Sequence, residues 1–308
     1  MLNISLRRKA KQFSRLARTS VLHRRTGTPR APVLVSPDEL GITFIGHSAF
    51  FLQVGGLNLL VDPNYARWLF LLKRLRHPGL LLEDLPAIDA VLITHAHMDH
   101  LHKPSLRAIA HGTRNLIGHA PIAIAPHGVG DLIVDLGFRK IHEMRWWEQQ
   151  TLEGESGQVS ITHVPARHWG ARMLKDYHRG FGGYCLHEPE HGYSLYHAGD
   201  TAYFDGFAEI GERMHPEIAL MPIGAYSPES YRNVHTSPED ALRGFVEMGA
   251  DWFIPMHFGT FRLSHEPVDE PLQRLHAEAT RRGIADKLLV LEEGITQVFG
   301  DTNQRAIS

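Results

Sequence analysis

Cysteine is nearly absent. Cys185 is the only one in 308 residues, so no intrachain disulfide can form, and the start Met1-Leu2-Asn3 lacks the apolar core of a secretory signal. Both absences make a reducing, cytosolic setting the expectation. Long apolar runs are missing too. The best of them, Trp68-Leu69-Phe70-Leu71-Leu72, stops at Lys73-Arg74, far short of the roughly 20 residues that crossing a bilayer requires. Acid is missing from the first 37 residues, which hold nine Lys or Arg, while the rest of the chain holds 23 basic and 34 acidic residues. An acidic body argues against a broad grip on nucleic acid, and no such partner is expected. There is no internal repeat, no low-complexity tract and no linker past residue 40. With 43% apolar residues, the economical reading is one α/β domain over residues 38–308 behind a basic arm of residues 1–37.

From Ile42 onward, short apolar runs end in polar residues or glycine. Ala49 to Val54 and Leu57 to Asp62 flank Gly55-Gly56, a pair suited to the positive φ angles of a tight hairpin. Further strands are expected over 90–94, 159–164, 193–197, 218–223 and 252–256. Ser237-Pro238-Glu239-Asp240 supplies an N-cap, a first-turn proline and first-turn acids. Ala241, Phe245 and Met248 then recur at helical spacing up to Gly249.

Histidine, by contrast, is plentiful, with 22 copies, and position decides which of them matter. The strand over 90–94 runs into His95-Ala96-His97-Met98-Asp99-His100. Four donors within six residues, on a loop at the end of a buried strand, can be aimed at one point, and imidazole with carboxylate suits zinc and similar divalent ions. His168, Asp200 and His257 each follow another strand-like run. Alone, each would pass for a surface histidine or a turn aspartate. Delivered from strand ends to a common edge, they would complete two sites without cysteine.

These residues resemble the metallo-β-lactamase superfamily, whose HxHxDH signature is matched by His95 to His100 and whose later ligands are matched in order by His168, Asp200 and His257. Within it the chain looks most like the branch of the N-acyl-phosphatidylethanolamine-hydrolysing phospholipase D. The segments that carry this include Phe44-Ile45-Gly46-His47-Ser48, Val61-Asp62-Pro63, Ala198-Gly199-Asp200-Thr201, Pro222-Ile223-Gly224-Ala225-Tyr226 and His257-Phe258-Gly259-Thr260-Phe261. The family usually places tryptophan before its Gly-Gly pair, where this chain has Phe181. The resemblance implies an αββα sandwich, two mixed sheets flanked by helices. It also implies two divalent ions, expected to be Zn2+, with His95, His97 and His168 on one, Asp99, His100 and His257 on the other, and Asp200 bridging.

Such a pair of ions lowers the pKa of a bridging water and polarises the scissile group, so no serine or cysteine nucleophile is needed. The expected reaction is hydrolysis of a phosphodiester in a small molecule or an N-acyl-phosphatidylethanolamine-like phospholipid. The alternative is a lactone or ester hydrolase similar to L-ascorbate 6-phosphate lactonase. Iron-dependent redox chemistry and a non-enzymatic metal-binding regulator are further rivals. Asp99 is assigned to orient the nucleophile as well as to bind metal. The resemblance places His235 at the substrate, stabilising phosphate or protonating the leaving oxygen. Asp62 reads either as a partner for a ligand histidine or as a turn cap. His47 is read as structural, and Arg172 and Tyr226 as candidate substrate contacts. Leu2, Leu6, Ala10, Phe13, Ala17 and Val21 share one face of a helix, so residues 1–30 are expected to touch anionic membrane from the cytoplasmic side.

Overall fold

The computed structural model describes residues 21–173 and 176–300, together with the backbone of 305–307. The helix expected over the arm falls largely on residues 1–20, outside the described residues. The strands are β1 (Leu40–Gly46), β2 (Ala49–Val54), β3 (Leu57–Val61), β4 (Trp68–Leu69), β5 (Leu72–Lys73), β6 (Ala90–Leu92), β7 (Ile122–Pro126) and β8 (Lys140–Met144). They continue with β9 (Gln149–Glu153), β10 (Gln158–Val164), β11 (Gly183–Glu188), β12 (Tyr193–His197), β13 (Ile218–Pro222), β14 (Trp252–Met256), β15 (Thr296–Phe299) and β16 (Arg305–Ile307). The helices are α1 (Lys103–Ile117), α2 (Gly206–Met214), α3 (Pro238–Met248) and α4 (Glu270–Arg282).

One sheet has the order β16-β15-β1-β2-β3-β6-β7-β8 and the other β14-β13-β12-β11-β10-β9, and the two face each other. Strict alternation in the first sheet explains its place in the middle of the molecule. Ile42, Phe44, Phe50, Leu52, Leu59, Val61, Ala90 and Leu92 point into the core between the sheets. The residues between them, Ile45, Phe51, Leu60, Val91 and Ile93, point the other way, onto Leu106 and Ile109 of α1. With both faces apolar, a strand is stable only when covered on both sides, and each such side chain contributes about 1.5–3 kcal/mol on burial. The second sheet is covered by Phe207 and Ile210 of α2, Leu242 and Phe245 of α3, and Leu275 of α4. This is the αββα sandwich.

Local signals are realised where they were strongest. Gly55 and Gly56 turn between β2 and β3 at φ angles of 61° and 77°. A capping box opens α3, with the Asp240 amide on Ser237 Oγ and the Ser237 amide on Asp240 Oδ2, and Gly249 closes it at φ 78°. Within the stretch read as an arm, residues 26–35 lie against the body. Thr26 pairs with Arg76, Arg30 with Leu80, and Gln53 holds the Val35 amide and the Val33 carbonyl. No helix among the described residues is long and apolar enough to cross a membrane.

Strand direction positions the site. β1 and β3 both run antiparallel to β2, and β6 runs parallel to β3. In the other sheet β10 and β12 both oppose β11, and β13 and β14 run parallel to β12. The C-terminal ends of β1, β3 and β6 therefore share one edge of the first sheet, and those of β10, β12, β13 and β14 share one edge of the second, where loops can converge.

Candidate metal centre

His95, His97, Asp99 and His100 occupy the loop after β6, His168 follows β10, Asp200 follows β12 and His257 follows β14. The structure brings all seven together. His95 Nε2, His97 Nδ1 and His168 Nε2 face one another, with His97 2.9 Å from His95 and 3.2 Å from His168. Asp200 Oδ2 stands 3.9 Å from His95 Nε2 and 3.8 Å from His168 Nε2. In the second group Asp99 Oδ2 lies 3.6 Å from both His100 Nε2 and His257 Nε2, while Asp200 Oδ2 is 3.3 and 3.1 Å from the same nitrogens. Asp200 is thus common to both groups.

Four donors arranged tetrahedrally at about 2.0–2.1 Å from a zinc ion are about 3.3–3.4 Å apart, and the separations seen here scatter around that value. Hydrogen bonding gives the same answer. Asp200 Oδ1 is buried with no hydrogen-bond partner, and the Nε2 atoms of His100 and His257 have no well-directed one despite the nearby carboxylate. Buried polar atoms left in this state are costly unless something else binds them, and a cation fits this donor set. His95, His97 and His168 are kept neutral because burial lowers their pKa values, which is the form a ligand imidazole needs. Burial alone would raise Asp99 and Asp200, but the neighbouring histidines hold both carboxyls well below the usual range.

Outer contacts fix the rings. Asp62 Oδ2 accepts the Nδ1–H of His100 at 2.7 Å and the Thr94 hydroxyl at 2.6 Å, and that hydroxyl in turn takes His95 Nδ1–H at 3.0 Å. Of the two readings open for Asp62, its position as partner of a ligand histidine is the one realised. His168 Nδ1–H donates to the Val234 carbonyl at 2.8 Å. Asn64 Nδ2 donates to the carbonyls of Met98 and Asp99, and Arg172 to those of Ala96 and Leu101, so both ends of the ligand loop are clamped. The turn before Asp200 requires Gly199, at φ 62°, because a Cβ there would strike the Gly182 carbonyl and the Thr94 side chain.

Three assignments change. His47, read as structural, points Nε2 at Asp99 Oδ2 from 3.1 Å and falls among the donors with His100 and His257. Its carbonyl also accepts the His257 amide at 2.7 Å, and both residues sit at positive φ, 63° and 59°, a strained backbone that is found preferentially at functional sites. The available signal was its place just past β1, the same strand-end position as His95. Arg172, read as a substrate contact, spends its guanidinium on the ligand loop. Tyr226 is buried, with its hydroxyl on Glu270 and Arg274 across its ring, so it faces α4.

His235 does face the centre. Its Nδ1 is 3.7 Å from Asp200 Oδ2, and its ring packs against His168 and His257. Burial pulls its pKa down to about 4, so at neutral pH it presents an uncharged N–H. Its loop is tied down on both sides: Arg232 forms a bidentate pair with Asp240 at the start of α3, and Thr236 Oγ1 donates to the Pro222 carbonyl. Trp169, 40% exposed, lies against the rings of His97 and His168.

The chain has relatives among known proteins. A family model described as the beta-lactamase superfamily domain matches residues 57–258. An uncharacterized protein of Mycobacterium tuberculosis is 32% identical over 270 residues, 82% of this chain and 69% of its own. The mitochondrial N-acyl-phosphatidylethanolamine-hydrolyzing phospholipase D of Saccharomyces cerevisiae is 30% identical over 265 residues, 83% of this chain and 55% of its own length. Among solved structures, Igni18, a metallo hydrolase from the archaeon Ignicoccus hospitalis, is similar with a TM-score of 0.63 and 26% identity, over 86% of this chain and all of that one.

Proposed function

The chain belongs to the metallo-β-lactamase superfamily and is a metal-dependent hydrolase, and from that premise we propose a zinc-dependent phosphodiesterase of phospholipase D type, acting on N-acyl-phosphatidylethanolamine-like lipids. The observation that carries the two-ion part of this reading is Asp200 Oδ2, within 3.1–3.9 Å of four histidine nitrogens drawn from both groups. Two divalent ions held there would supply a water nucleophile at neutral pH and would neutralise charge on the non-bridging oxygens of a phosphodiester. His95, His97, His168 and Asp200 would hold one ion, and Asp99, His100, His257 and Asp200 the other.

The rest is the work of side chains. Asp99 Oδ2 is anchored by His47 on one side and faces His100 and His257 on the other, so it is fixed where it can orient an incoming water. His235 stands beside Asp200 with a neutral imidazole, suited to donating a hydrogen bond to a phosphoryl oxygen, because a charged ring would have to be formed against its burial. The named activity of the yeast relative supports the phosphodiester class. The test is to load purified protein with metal, count the ions by elemental analysis, and assay it against a phosphodiester and a lactone panel. Two zinc ions per chain with turnover of N-acyl-phosphatidylethanolamine is the expected result. Turnover confined to lactones would overturn the phosphodiester reading, and iron in place of zinc would overturn the metal.

A further inference from the structure

The loop joining β4 to β5 is made of Phe70 and Leu71, because Leu69 pairs with Leu72 and Trp68 with Lys73. Two-residue hairpin loops strongly favour Asn and Gly, which tolerate a positive φ at low cost. Here Phe70 takes φ 53°, a conformation that is unfavourable for a bulky aromatic residue. Nothing is gained by packing in return. Phe70 is 73% exposed, Leu71 61% and Trp68 42%. The chain therefore combines backbone strain with exposed apolar area at one tip.

The surroundings say what the tip is for. Lys73 Nζ donates to the His23 carbonyl at 2.9 Å, so the chain around Val21 and Leu22, 48% and 79% exposed, lies beside the hairpin. Arg24 and Arg67 are also exposed, and no acid occurs in residues 1–37 or 63–82. The nearest acids in these contacts, Glu292 and Glu293, are taken up by Arg30 and Arg76. An apolar, aromatic tip with cations around it suits one partner above others: a bilayer surface that takes the tip into its interfacial layer and presents negative headgroups to the cations. Beneath the tip, Leu69 and Leu72 pack with Ala66 and Phe261 against Met98, which stands between the ligands His97 and Asp99. Whatever the tip inserts into is held next to the metal centre.

We propose that the β4–β5 hairpin, with Phe70 and Leu71 at its tip, is an interfacial anchor that docks the metal centre on anionic membrane. The surface needs no turnover to be tested, so its fate is independent of the reaction assigned above. Full-length, metal-loaded protein is sedimented with phosphatidylcholine–phosphatidylglycerol vesicles and with phosphatidylcholine vesicles. The same is done for Phe70→Gly/Leu71→Ser, and for Leu116→Ser as a control on another exposed leucine of α1. Glycine relieves the positive φ at position 70, so the melting temperature of the double variant should not fall. The expected result is salt-sensitive binding that prefers the anionic vesicles, is lost roughly tenfold or more in the double variant, and is unchanged in the control. Equal binding by wild type and double variant would pass the role to residues 1–20 and overturn the proposal. So would wild-type protein that ignores vesicles, or a dimer that the double variant dissociates, which would show that the tip covers a second copy of the chain.

Discussion

Asp62 Oδ2 accepts the Nδ1–H of His100 across 2.7 Å, with neither side chain reachable by solvent. Through the Thr94 hydroxyl the same oxygen also steadies His95, which belongs to the other group of donors. One carboxylate therefore sets the ring orientation of a histidine in each half of the centre, from a residue held at φ 43° just past β3.

Replacing Asp62 by asparagine tests that coupling. The amide keeps an acceptor for the Thr94 backbone but puts its NH2 where Oδ2 accepts both the His100 Nδ1–H and the Thr94 hydroxyl, so both lose their acceptor. Metal affinity is expected to fall about 10–100-fold, the usual cost of removing such an outer partner. Titration against a competing chelator reads it. Affinity equal to wild type would mean that packing alone holds the rings.

Asp200→Ala should cost more activity than the same change at Asp62 or Asp99, because only Asp200 faces histidines of both groups. Loss of bound metal and of turnover by more than the other two variants is the expected pattern. Full metal occupancy with near-normal turnover would remove Asp200 from its bridging role.

How far these residues could be read before folding depends on how local their signals are. The ligand loop after β6 was legible because a strand end and four donors are adjacent in the chain, and α3 because its caps are. Asp62 was legible only as a choice between two readings, since the distance to His100 is set by the pairing of β3 with β6. His47 was misread because its partner, Asp99, is 52 residues away. Arg172 and Tyr226 were assigned to substrate because nothing local says which way a loop side chain points. The order of the first sheet, in which β15 from the C-terminal region pairs with β1, also rests on contacts that no short window of sequence contains.

His235→Ala should keep bound metal, because His235 stands outside the two proposed donor sets, yet lose roughly 10²-fold in turnover, the range for a lost electrostatic donor or acid–base group. Its low pKa adds a second readout. As a neutral donor it should leave no titration near pH 6.5 in the wild-type rate profile that the variant removes. Unchanged kinetics on the true substrate would reduce His235 to a filler between His168 and His257.

Chelation offers a last test, through proton linkage. In the metal-free protein burial would lower His257 and His100, but the carboxylates of Asp200 and Asp99 outweigh it. They raise His257 from 6.5 to about 9 and His100 well above 6.5. A group with a raised folded-state pKa contributes stability that is complete below its unfolded value and is lost as pH rises through the folded one. The chelated protein should therefore melt at progressively lower temperature between about pH 6.5 and about pH 9, as these imidazoles lose the protons that balance Asp99 and Asp200. Metal binding requires the same nitrogens deprotonated, so over that window its affinity should rise and the loaded protein should not show the decline. Melting curves with and without chelator across the window decide it. A chelated protein whose melting temperature is flat or rising there would mean that the two histidines do not carry the protons that balance the paired carboxylates.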